Sequence, residues 1–420
     1  MFKLNRIDYY FIGILIIGII LRVIALFNID VAWDSYTYLA GSKSIIAFDY
    51  NTFRAPGFPI FIIPFLLLPR NYPLINTPES RTALVLLTNP DLLLTVKLAS
   101  FTGSILLIFC SYFIFTKASI KIYNLNNNRN KNVEKNEISA KYVGLIVSCL
   151  LSLSLPFIVN SVQGLREELL SLLVIIIFYF TIIKEKMNVR DNIFLAFSMS
   201  FLTLTHLTAG IFISLGILLF FLVSKLKFFK FKSISTYKIL IILFASWSSF
   251  LFWAYFCELK FGDPLFSLQV QRDFFKDAYD LDLSSLNNII PALINGLTNG
   301  IPLEFYFLFI FNGFVFILLG LYIMVIHIKL KQFLFIFLVV GLNFAYLSIF
   351  MAVPGDIRLI IYFFPLILYL GAFPIGLILK NSNDKVSNNL NYLLVLFLST
   401  YLFRGLKNND QFFFLLILSS

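Results

Sequence analysis

Residues Tyr9–Phe27 read YYFIGILIIGIILRVIALF, an apolar run of the length a bilayer-spanning helix needs, about 20 residues. It is too long for the apolar core of a signal peptide, about 7–15 residues, and no small-residue cleavage site follows it. It is therefore read as a retained helix. The same texture recurs at 92–116, 142–159, 168–184, 192–208, 209–224, 239–257, 301–326, 333–351, 358–379 and 390–403, with a short last run at 411–420. The run 57–68 is also short, is bounded by Pro56 and Pro69 and contains Pro59 and Pro64; it is either a tilted span or a re-entrant hairpin. The expectation is an all-α, polytopic membrane protein of about 11–13 transmembrane helices, with residues 1–420 forming one transmembrane domain.

Composition agrees. Hydrophobic residues make up 59% of the chain, charged residues 13%, and Phe occurs 51 times. A soluble domain carries about 25% charged residues, so lipid must solvate much of this surface. The net charge of +11 comes mainly from short Lys/Arg clusters between apolar runs, which is the pattern of cytoplasmic loops rather than a nucleic-acid face. Cys110, Cys149 and Cys257 are far apart and form no CxxC spacing, so neither a disulfide framework nor a zinc site is expected.

The clusters also orient the chain. Lys3 and Arg6 place the N-terminus in the cytoplasm, as do Lys184 to Arg190, Lys225 to Lys238, Lys329 to Lys331 and Lys380 to Lys385 for their own loops. The Asn/Lys-rich stretch 117–141 reads as a disordered, basic cytoplasmic loop. These assignments agree if 57–68 re-enters. The outer face then collects loops 28–56 and 258–300, the second carrying Asp263, Asp273, Asp277, Asp280 and Asp282.

Chemistry-bearing residues sit at that outer face. In Asp30-Val31-Ala32-Trp33-Asp34-Ser35-Tyr36-Thr37-Tyr38, Asp34 either N-caps a helix running to about Ala47, with Tyr38 on the same face, or is a carboxylate held at the water–lipid boundary. There it could act as a general base or bind a divalent cation. Arg54 precedes the rigid turn Ala55-Pro56-Gly57 and suits phosphate through paired N–H bonds, or headgroups. Arg166-Glu167-Glu168 crowds three charges into a short loop, as a site or as the acidic start of a helix. His206 is a packed hydrogen-bonding residue or a ligand contact. His327 borders a cytoplasmic Lys cluster and is discounted. Arg358 opens an otherwise uncharged helix that includes Tyr362 and Pro365; it either pairs with Asp356 or makes a second anion contact.

In this order the motifs resemble the GT-C superfamily of membrane glycosyltransferases, above all the branch with protein O-mannosyltransferases and lipid A aminoarabinose transferases. The resemblance rests on Asp34, Tyr38 and Ala40 after the first helix, on Arg54-Ala55-Pro56-Gly57, on Arg166-Glu167-Glu168, and on Arg358, Tyr362 and Pro365. It implies a sugar donor carried on polyprenyl or dolichyl phosphate and transfer with inversion outside the cytoplasm. The acceptor would be a glycan, lipid or protein. Asp34 would be catalytic, with Tyr38, Arg54, Arg166, Glu167, His206, Arg358 and Tyr362 binding substrate and Asp34 with Glu168 as the candidate metal pair. A transporter or flippase of lipid-linked sugars is the alternative, although these charges lie in loops rather than mid-span.

Overall fold

The computed structural model describes residues 6–50, 52, 54–67, 90–125, 133–226, 235–270, 331–346 and 362–381. All regular structure among them is helical. In chain order these are α1 (Arg6–Asn28), α2 (Trp33–Ile46), α3 (Gly57–Leu66), α4 (Pro90–Leu125), α5 (Val133–Leu153), α6 (Leu155–Asn160) and α7 (Glu167–Phe178). A π-helical turn, Tyr179–Ile183, extends α7, and α8 (Val189–Thr205), α9 (Leu207–Ser224), α10 (Thr236–Phe261), α11 (Lys331–Tyr346) and α12 (Phe364–Asn381) follow.

Among the described residues five helices, in α1, α4, α5, α9 and α10, are long and apolar enough to cross a membrane. Their faces are inverted relative to a soluble helix. On α10 the exposed residues are Leu240, Phe244, Trp247, Leu251, Tyr255 and Leu259, whereas the buried stripe contains Ser246 and Ser249. On α1, Ile12, Ile16, Ile20, Val23 and Phe27 face outward at helical spacing, and Gly18 and Arg22 face in. Hydroxyls inside and phenyl rings outside is the arrangement a hydrocarbon solvent selects, because polar groups must find partners within the protein. The chain is an all-α, polytopic membrane protein.

Several sequence expectations change. The stretch 117–141 is not a loop throughout: α4 continues to Leu125 and α5 begins at Val133. Its lysines are used by the fold. Lys121 donates to the Ile183 carbonyl and pairs with Glu185 at 2.6 Å, and Lys141 pairs with Asp8 at 2.9 Å. Low complexity therefore did not mean absence of structure. The run 142–159 divides at Ser154, whose ψ of 124° leaves the helical region, because Pro156 has no N–H for the next helical bond. The boundary expected between 208 and 209 falls instead at His206. Helix α3 has 10 residues, about 15 Å of rise, too short to cross; whether the chain then turns back lies in 68–89, outside the described residues. The runs 301–326, 390–403 and 411–420 and all of 271–300 also lie outside them.

Helix α4 packs on α5 and α7, and α5 on α1 and α12; α8 packs on α9 and α10, and α9 on α11. Paired contacts separate the two ends of this bundle. One end joins Asp8, Tyr112 and Lys141 and, through Lys121, Lys184 and Lys238, the ends of α4, the π turn and the start of α10. The opposite end gathers α2, α3, the segment 161–166 and the α8–α9 junction.

Candidate functional site

The segment that starts α2 is held by its neighbours. The Ala32 N–H donates to the Gln163 carbonyl at 3.0 Å, and the Ser35 hydroxyl donates to Gln163 (2.5 Å) or Gly164 (3.0 Å). From the other side, Ser100 donates to the Leu165 carbonyl. Gly164 has φ +73°, and a Cβ there would lie 2.5 Å from Val96 and 2.9 Å from the Ser35 hydroxyl. Only glycine fits both the backbone and the space. This stitching delivers Arg166 to the start of α7 and Asp34 to the first turn of α2.

Asp34 does not cap α2. The N-cap is Ala32, without a side-chain bond. The Asp34 carboxylate instead receives the Arg54 Nη2–H at 2.6 Å. Arg54 also donates to the Tyr38 hydroxyl at 3.3 Å, and its guanidinium lies 5.1 Å from the centre of the Tyr38 ring. A second guanidinium, Arg166, sits 5.6 Å from the same ring and donates to the Thr205 carbonyl at 2.9 Å. Two like charges thus share one aromatic ring, stabilised by its quadrupole, by Asp34 and by a backbone carbonyl. Burial pushes the Tyr38 phenol above its ordinary value, while Arg166 and Arg54 pull the other way and Glu167 and Asp34 add to the rise. Tyr38 therefore stays a neutral hydroxyl.

The Arg54 segment is placed by Tyr50, whose hydroxyl donates to the Arg54 carbonyl at 2.6 Å, and by the start of α3. A Cβ on Gly57 would meet Thr205 and the Leu204 carbonyl carbon, so α3 can abut the α8–α9 junction only with glycine there. That junction is the single residue His206, extended at φ −151°, which ends α8 and caps α9. Its Nδ1 accepts the Ala209 N–H at 3.4 Å and lies 3.0 Å from the Thr208 hydroxyl, which puts the ring proton on Nε2. Tyr362, preceding α12, has its ring 6.2 Å from that of His206.

The structure therefore brings Asp34, Tyr38, Arg54, Arg166, Glu167, His206 and Tyr362 to one end of the bundle. Glu167 acts on Tyr38 electrostatically and stands with Glu168 in the first turn of α7, where acids complement the helix dipole. Arg358 and Asp356 lie outside the described residues. The metal pair is not supported: the Asp34 carboxylate is engaged by a guanidinium, Glu168 is fully buried within the field of Arg22, and no three metal-ligating side chains converge among the described residues. These residues do not fit a divalent cation.

Sequence reading missed Tyr50 and Arg22. Tyr50 carries no signal in sequence, because its role is a bond to a backbone carbonyl. Arg22 does carry one, as a charge inside an apolar run. It is fully buried and donates to Ser104 Oγ (2.9 Å) and to the carbonyls of Gly18 (3.1 Å), Ser152 (2.8 Å) and Leu151 (2.8 Å). Pro156 offers Ser152 no N–H, so Arg22 supplies the donor that the end of α5 lacks. The three cysteines are free. No protein-family model matches the chain, and no curated protein matches it either.

Proposed function

We propose that this chain is a membrane glycosyltransferase that takes a sugar from a polyprenyl- or dolichyl-phosphate donor and transfers it, with inversion, to a hydroxyl of a glycan, lipid or protein acceptor. The observation that supports it is the convergence of one carboxylate, two guanidiniums and a histidine from four separate segments, at the end of the bundle where apolar helices stop. A donor with a lipid tail and a phosphate head needs that combination: hydrocarbon-facing helices beside fixed cations. The other end holds Lys117, Lys121, Lys141, Lys184 and Lys238, and by the positive-inside rule it faces the cytoplasm. The site then faces outward, at the cell membrane.

In this reading the acceptor hydroxyl attacks the anomeric carbon from the face opposite the phosphate. Its proton passes to Asp34. The bond from the anomeric carbon to the phosphate oxygen breaks, and the lipid phosphate leaves with its charge held by Arg54 and Arg358. Arg166, Tyr38, His206 and Tyr362 line the approach. Arg54 engages Asp34 at 2.6 Å, so a phosphate bound at Arg54 competes for the guanidinium and releases the carboxylate. Base and donor site are thus coupled. The test is incubation of purified protein with candidate polyprenyl-phosphate sugars and acceptors, reading donor consumption by mass spectrometry. Transmembrane movement of intact donor in proteoliposomes, with no consumption, would replace this reading with the flippase.

A further inference from the structure

Helix α2 ends in an unusual way. The Phe48 N–H donates to the Ile45 carbonyl at 3.1 Å, and the Asp49 N–H to the Ser44 carbonyl at 2.9 Å. Paired bonds of this kind form the motif that closes many helices, with a left-handed residue at the turn that is usually glycine. Here that residue is Phe48, at φ +56°, the one non-glycine residue with positive φ among the described residues. A side chain in this region crowds the backbone, and a phenylalanine gains nothing locally in return. Its ring is 99% exposed. The adjacent Asp49 pairs with Lys260 at 3.0 Å, which fixes the turn beside the last turn of α10. There Tyr255 and Leu259 belong to the exposed stripe of that helix. With 26 residues, α10 rises about 39 Å, longer than the roughly 30 Å hydrocarbon layer. Its Lys260 end therefore stands at headgroup depth.

We propose that Phe48 is a lipid anchor: its ring enters the bilayer interface beside α10 and docks the α2–α3 segment on the membrane surface. Aromatic rings favour that zone. The Asp49–Lys260 pair sets Phe48 beside the end of α10, the helix whose exposed stripe of Leu251, Tyr255 and Leu259 faces lipid, and this favours bilayer as the occupant. The anchored segment is the one that carries Arg54, through Asp49 and the Tyr50–Arg54 bond. This placement of the segment is independent of whether the chain transfers sugar.

The test is a spin label at Phe48→Cys in full-length protein, in nanodiscs of phosphatidylcholine and phosphatidylglycerol. Cys149 and Cys257 are buried, and the labelled parent supplies the background from Cys110. The expected result is strong relaxation by oxygen with little by a water-soluble nickel chelate. Access to nickel would place the ring in water, and shielding from both would place it under another part of the chain; either overturns the proposal. If Phe48→Cys fails to fold, Phe48→Trp serves instead. Brominated lipids should quench its added fluorescence, and absence of quenching gives the same refutation.

Discussion

At the scale of single residues, the decisive fact is that Asp34 holds Arg54 rather than a helix end. A capping aspartate is replaced by asparagine almost silently; a base and ion-pair partner is not. Asp34→Asn is expected to fold, to bind donor, and to lose about 10²–10⁴-fold in turnover. Asp34→Glu should fall between the parent and Asn, because reach matters as well as charge. Full activity in the Asn variant would remove Asp34 from the chemistry. Arg54→Ala should weaken donor binding by roughly 1.5–3 kcal/mol, the usual worth of a charged hydrogen-bonding partner, read as the dissociation constant for lipid-phosphate sugar. Unchanged affinity would dismiss it as the phosphate ligand. Tyr38→Phe keeps the ring that both guanidiniums face and loses only one weak acceptor. Since burial keeps the Tyr38 phenol protonated, this variant should leave the pH–rate profile in place. A shift of the alkaline limb would show that the phenol titrates during turnover.

Among elements, the recurring device is a buried or half-buried cation closing a helix C-terminus. Arg22 serves the end of α5, Lys97 donates to the Leu26 and Ile29 carbonyls at the end of α1, and Lys238 to Phe180 and Lys184 around the π turn. Water would do this work in a soluble protein; in hydrocarbon the protein must. Arg22→Leu leaves two carbonyls without donors, at roughly 1–3 kcal/mol for each unsatisfied group. Melting in detergent should drop accordingly, with partial recovery in Arg22→Lys. An unchanged melting temperature would show that the carbonyls find other donors. Sequence revealed the elements better than their ends. Apolar length shows on its face, and so the spans could be read. At the start of α2 the sequence leaves Asp34 open between a cap and a carboxylate at the water–lipid boundary, because Asp34 satisfies the local rules for a cap and only the fold brings Arg54 to it. The division at His206 was also hidden: no glycine or proline marks it, and the histidine ring supplies the cap itself.

Over the whole molecule, the separation of a lysine-rich end from an end with Asp34, Arg54 and His206 predicts a sidedness. Single cysteines within 28–56 and 258–300 should react with an impermeant reagent on intact cells, and those within 117–141 only after permeabilisation. Labelling of 117–141 from outside would invert the assignment. What could be read at this scale was that one end is basic. What could not was that Asp34, Arg54 and Arg166, spread over 133 positions from 34 to 166 counted inclusively, meet around the Tyr38 ring. Each motif is short and unremarkable alone, and their meeting depends on contacts such as Gly57 against Thr205 and Gly164 against Ser35 that no local pattern announces.

The bond from Arg22 to Ser152 spans 130 positions of sequence, and a ribosome makes those residues in order. When α1 enters the membrane its arginine has no acceptors, and an arginine at a helix centre costs about 2.5–3.5 kcal/mol on insertion scales. A position nearer the end costs less only if the side chain reaches the headgroups. Newborn α1 should therefore ride high, its Arg22 end drawn toward the bilayer surface, and sink to its final depth only once α5 arrives. A nascent chain stopped after α3 should expose a cysteine at Asn28 to aqueous reagent faster than the finished protein does, and Arg22→Leu should erase the difference. Equal rates in both lengths would mean that the first helix reaches its final depth without its partner.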